Sequence, residues 1–239
     1  MKRAYLMEMN VLRGYATSLL ATGLLVTALV GVGMKTAIVV PAVLTCMCFM
    51  MGAIGFSVYD DQNGWGSYRL TLPVSKRDVV LSRYAAIATL GLIGSAVGFA
   101  VSLAVMGLAS AVELPGGLSE FLAFSGERVA GMAFATAVCV LIGSAVASVV
   151  TPVYFKLGQT KATQFLPTVT VGLFVVTPML LGNSGILEGG AFGLVTDFLT
   201  FVETPAGLAA SMAALLAASL LMLAASAVVS LGLYGRREL

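Results

Sequence analysis

Histidine is absent from this 239-residue chain, and with it the commonest general base and metal ligand. No Ser/His/Asp or Cys/His arrangement and no HExxH site can therefore be assembled. The chain also has no GxxxxGK[ST] phosphate loop, which closes that route to binding ATP itself. Charge is scarce: Asp, Glu, Lys and Arg make up 10% of the residues. A soluble domain of this length needs far more charge to cover its surface, so the globular class fits poorly. Cysteine occurs three times, at Cys46, Cys48 and Cys139, always inside an apolar run. No extracellular pair exists to staple outer loops, and the three read as soft packing residues.

What the chain does have is apolar length. It is 59% hydrophobic, with a mean hydropathy of +1.01. A bilayer core is roughly 30 Å thick, so a spanning helix needs ~20 mostly apolar residues. Six runs qualify: 15–34, 37–58, 84–112, 129–150, 165–181 and 205–233. They are continuous where β-barrel strands would alternate, which predicts an all-α integral membrane protein forming one domain over 1–239. The first run follows a basic start, but it exceeds a usual signal-peptide core and lacks a small-x-small cleavage site. It reads as a retained span.

Sidedness follows from the cations. With the N-terminus inside, Lys2, Arg3, Arg13, Arg69, Lys76, Arg77, Arg83, Lys156, Lys161, Arg236 and Arg237 face the cytoplasm. Only Lys35 and Arg128 fall outside, eleven against two of the 13 basic residues. The positive-inside rule thus predicts both termini cytoplasmic, and six spans have the matching parity. Glu113, Glu120, Glu127, Glu188, Asp197 and Glu203 show the opposite bias.

Residues 1–13 set Tyr5, Leu6, Met9 and Leu12 on one side of a helix. Either this is a separate amphipathic helix on the inner membrane surface, or the first span simply extends into water. A very short outer turn near 33–36 joins spans one and two, and Pro41 sits early in the second, where its missing N–H costs little. Gly91, Gly94 and Gly98 in span three, and Ala210, Ala214 and Ala218 in span six, form small faces. Such faces let helices approach closely, either within the chain or across a dimer contact. Pro167 and Pro178 bracket a short fifth span, after which 186–204 is expected to form outer helices. No span carries Asp, Glu, Lys or Arg in its middle, which argues against a proton relay.

The richest stretch is the polar connection 59–83. Asp60 and Asp61 open it, Trp65, Tyr68 and Leu72 repeat at helical spacing, and Arg69 lies among them. Pro73 disfavours helix in the residue before it. Ser75 and Asp78 have capping-box spacing, with Lys76, Arg77 and Arg83 on the helix that follows into span three. An aromatic anchor beside a basic loop explains Trp65 alone; acidic pair, aromatic helix and basic helix start together point to docking.

At Asp60-Asp61, Gly64-Trp65 and above all the run from Leu72 to Tyr84 (LPVSKRDVVLSRY), the chain resembles ABC type-2 exporter permeases. The likeness is to the small bacterial subfamily that includes exporters of cytolytic and antimicrobial peptides. The resemblance implies a multi-pass plasma-membrane subunit with six helices and a cytoplasmic coupling helix between spans two and three. That helix maps to about 61–72 and would seat Trp65, Tyr68 and Arg69 in a groove on a separate ATPase. It also implies pairing with a second permease, ATP and Mg bound on the partner ATPase, and no cofactor or nucleic acid on this chain. The Asp60-Asp61-Gln62 junction departs from the wider family, where a glutamate is common, and leaves open which acidic residue serves coupling. Two other classes remain: the substrate-capturing subunit of an energy-coupling-factor importer, and a non-transporting immunity or regulatory protein. The apolar interior suits hydrophobic or amphipathic cargo.

Overall fold

The computed structural model describes residues 2–62, 74–111, 122–157, 197 and 200–235. They hold five long helices and, among the described residues, no strand. These are α1 (Lys2–Gly33), α2 (Val39–Gln62), α3 (Lys76–Ala111), α4 (Gly126–Leu157) and α5 (Pro205–Gly235). Each is long and apolar enough to cross a membrane. The expected span 165–181 lies outside the described residues. So does most of 186–204, of which 200–203 are helical.

Helix ends follow local chemistry. The Thr36 N–H donates to the Gly31 carbonyl at 2.9 Å, and the Lys35 N–H to that of Val32 at 3.2 Å. This pair of bonds closes α1, with Lys35 at φ 51° in the left-handed position glycine usually takes. The Thr36 hydroxyl then accepts the Ile38 N–H at 3.2 Å and starts α2. Ser75 caps α3 as its spacing predicts, accepting the Asp78 N–H at 3.1 Å.

Of the two readings of the first thirteen residues, the structure takes the extension: α1 is one helix from Lys2. Its amphipathic pattern serves the bundle. Ala4, Glu8 and Leu12 form the buried face, one turn apart, while Leu6 stays exposed.

Helix α2 is the axis of the bundle and packs on α1, α3 and α4. In its most apolar stretch 61% of residues are buried, against 17% to 39% in the other four. Glycines make this possible. A Cβ on Gly98 of α3 would sit 2.6 Å from Pro41 Cα, and one on Gly94 would sit 2.6 Å from Cys48 Sγ. Phe49 wedges between Gly91 of α3 and Gly143 of α4. The glycine face of α3 is therefore an intramolecular seam. Ala210 and Ala214 of α5 are exposed; the buried face of that helix runs through Gly207, Ser211, Ser219, Leu223, Ser226 and Ser230.

One interior proline shapes how α5 docks. Pro152 lies inside α4 and lacks the N–H that would bond the Ser148 carbonyl one turn earlier. The Ser226 hydroxyl of α5 donates to that carbonyl at 2.6 Å. Tyr84 of α3 joins the same knot, its hydroxyl 2.6 Å from Ser226 Oγ and 2.8 Å from Ser230 Oγ. Tyr84 lies early in α3, while Ser148 and Ser226 lie late in α4 and α5, so α4 and α5 run parallel. Large apolar side chains such as Leu25, Leu29, Leu92, Leu108 and Leu221 face outward, 62–71% exposed, a surface suited to lipid tails.

Two outcomes follow for thermal unfolding in detergent. Gly98→Ala is expected to cost about 1–3 kcal/mol because its methyl meets backbone, whereas Gly107→Ala, with nothing within 4 Å, costs nothing. Ser226→Ala leaves the Ser148 carbonyl orphaned and is expected to cost about 1–3 kcal/mol.

Candidate functional site, a buried ion triad at the base of the α2–α3 connection

Arg83 is 1% exposed and sits two turns into α3, beside the buried Val79 and Val80. A guanidinium stays protonated under any ordinary condition, so burial forces neighbouring helices to supply acceptors. Two do. Nη2 donates to Asp60 Oδ2 at 2.7 Å and to Glu8 Oε1 at 3.3 Å. Asp60 lies in the last turn of α2 and Glu8 in the second turn of α1; they are 5% and 2% exposed. Tyr154 of α4 donates its hydroxyl to the same Asp60 oxygen at 2.8 Å. The Phe56 ring covers the guanidinium carbon at 4.8 Å and the Tyr154 ring at 5.8 Å, both in cation–π range.

Four helices thus meet on one charge, at the end where α1 and α3 begin and α2, α4 and α5 finish. Asp60 and Arg83 lie 23 residues apart in sequence. Their ion pair closes the base of the connection between α2 and α3. Among the described residues Nε and Nη1 of Arg83 are buried without a hydrogen-bond partner, a cost that an apolar cluster of the same volume would avoid.

The residues expected to dock distribute around this base. Asp60 is turned into the bundle, and Asp61 follows it in the last turns of α2. Trp65, Tyr68, Arg69, Leu72 and Pro73 lie outside the described residues. Ser75, Lys76 and Arg77 are exposed at the start of α3, with Asp78 beside them. Lys76 Nζ stands 5.9 Å from the ring centre of Tyr234, at the end of α5. Asp78 complements the helix dipole there, but Lys76 and Arg77 oppose it and weaken the helix they begin. Helix stability is therefore not the reason for two cations in this turn.

Sequence reasoning passed over Glu8, Arg83 and Tyr154 as members of one site. A search for charges in mid-span finds none of them, because all three stand at span borders. The available signal was Arg83 itself, a cation just before an apolar run with no neighbouring acid on its own helix face.

Residues 10–235 match the family model described as ABC-2 family transporter protein. The chain belongs to the ABC-2 transporter family. It is a membrane subunit of an ABC transporter, a multi-pass transport component and not a catalyst in itself. ABC-2 membership implies an ATPase partner and a membrane setting. Comparison with curated proteins and with solved structures returned no match. Asp60, Arg83 and Tyr154 of this permease fall within the matched residues, while Glu8 precedes them.

Arg83→Met removes the cation that the buried Asp60 and Glu8 carboxylates share. The expected loss is about 3–5 kcal/mol in denaturant titrations of the detergent-solubilised permease. A loss below about 1 kcal/mol would mean that water reaches the triad.

Proposed function

We propose that this permease is the path-forming half of an ATP-driven exporter, docked to a separate ATPase through the 59–83 connection. The ATPase binds ATP and Mg and does the hydrolysis. Two permeases, identical or paralogous, enclose the path in a bacterial plasma membrane. Both termini lie in the cytoplasm. The observation that carries this reading is how the two described ends of the connection are held. Its base is locked by the Asp60–Arg83 pair, and its far side leads into the exposed basic first turn of α3, a single 36-residue helix. A push on that turn enters a rod of ~54 Å, longer than the bilayer core is thick. Closure of two ATPase subunits around ATP would move such rods together and shift the path between its inward-facing and outward-facing forms.

Six spans are supported by the parallel course of α4 and α5. The chain leaves α4 at the Arg83 end and enters α5 at the opposite end, which suits the further span expected at 165–181. Cytoplasmic sidedness is supported by Arg3, Arg13, Lys76, Arg77 and Lys156, all at the Arg83 end. Outward transport and peptide cargo rest on the likeness of the Leu72–Tyr84 run to exporters of that class, and the apolar helices suit amphipathic cargo.

The test is reconstitution of the permease with the ATPase that copurifies with it. Wild type is expected to stimulate ATP turnover, and Trp65→Ala with Arg69→Ala to abolish the stimulation while the permease stays folded. Unchanged turnover in the double variant would remove the connection as the docking site.

A further inference from the structure

We infer that Arg83 is a positioning residue for coupling, and that through Glu8 it makes the opening turns of α1 part of the moving lever. This rests on the reading of the 59–83 connection as the ATPase dock. Adjacent residues of α3 reach every other described helix. Arg83 binds Glu8 of α1 and Asp60 of α2, and through Asp60 it holds Tyr154 of α4. Tyr84 binds Ser226 and Ser230 of α5. A displacement of the connection therefore cannot move the start of α3 alone.

The two arms of the clamp differ. The Asp60 arm is short, 2.7 Å, and ties the two ends of one connection. The Glu8 arm is longer, 3.3 Å, and recruits a helix 75 residues away in sequence. Glu8 lies two residues before the segment that matches the family. An apolar cluster would fill the same space without stranding Nε and Nη1. Retaining an ionic one makes sense if it fixes which helices travel together.

Replacing all three charges separates position from stability. Glu8→Gln/Asp60→Asn/Arg83→Met removes the buried cation together with both carboxylates that bind it, and the thermal midpoint is expected near wild type. The ATPase should still copurify, while its stimulation falls about tenfold. Glu8→Gln alone leaves the Asp60 arm intact and should cut stimulation severalfold with little change in stability. A second readout needs no ATPase. Spin labels at Arg3→Cys and Arg77→Cys, with Cys46, Cys48 and Cys139 replaced by alanine, report the spacing of α1 and α3. Glu8→Gln should broaden that distance distribution.

Full stimulation by the Glu8→Gln and triple variants, or an unchanged distribution, overturns the inference. Should wild type stimulate no ATPase at all, the docking reading fails, and the spin-label distances still decide whether Glu8 holds α1 to α3.

Discussion

A guanidinium that can neither discharge nor reach water sets the terms for this fold. Arg83 is enclosed on every side, and enclosure is tolerable because opposite charge reaches it from two other helices, closely from Asp60 and at longer range from Glu8. The rest of the Arg83 end is arranged around that requirement. Phe56 and Tyr154 cover the planar group with ring faces, and Val79, Val80, Ile87 and Phe155 exclude solvent around it. The apolar cluster there draws on all five helices, which a set of independent spans would have no cause to do.

Away from this end the bundle relies on different physics. Between spans in lipid there is little hydrophobic drive to associate, and close approach supplies dispersion instead. Hence the glycine track of α3 against Pro41, Cys48 and Phe49, and the central position of α2. Polar groups within the spans are mostly quieted locally. Thr27, Thr45 and Thr136 each return a hydroxyl bond to the carbonyl four residues earlier. A permease built this way has a charged joint at one end and a close-packed apolar body.

Much of this was legible in the residues alone. Five of the six expected spans coincide with long helices, because ~20 apolar residues in a row leave a chain few other options. The Ser75 cap and the short turn at 33–36 could be read from spacing and turn chemistry. The triad could not. Glu8, Asp60, Arg83 and Tyr154 are scattered over 146 residues, and each has an innocent local reading as a border charge or an interfacial aromatic. Their convergence depends on how α1, α2, α3 and α4 are oriented about one another, which hydrophobic runs leave undetermined. The role of Ser226 was hidden for a similar reason. A proline in α4 announces a vacant carbonyl, yet only packing shows which hydroxyl answers it.

The Pro152 break has a mechanical corollary. Where the charge cluster welds, the serine–tyrosine knot merely latches, since hydroxyl bonds are individually weak and swap partners as side chains rotate. Tyr84 already sits within reach of two serines spaced one turn apart on α5. The seam of the last helix is therefore held by neutral bonds with an alternative acceptor within reach, where the charge cluster has a single shared cation.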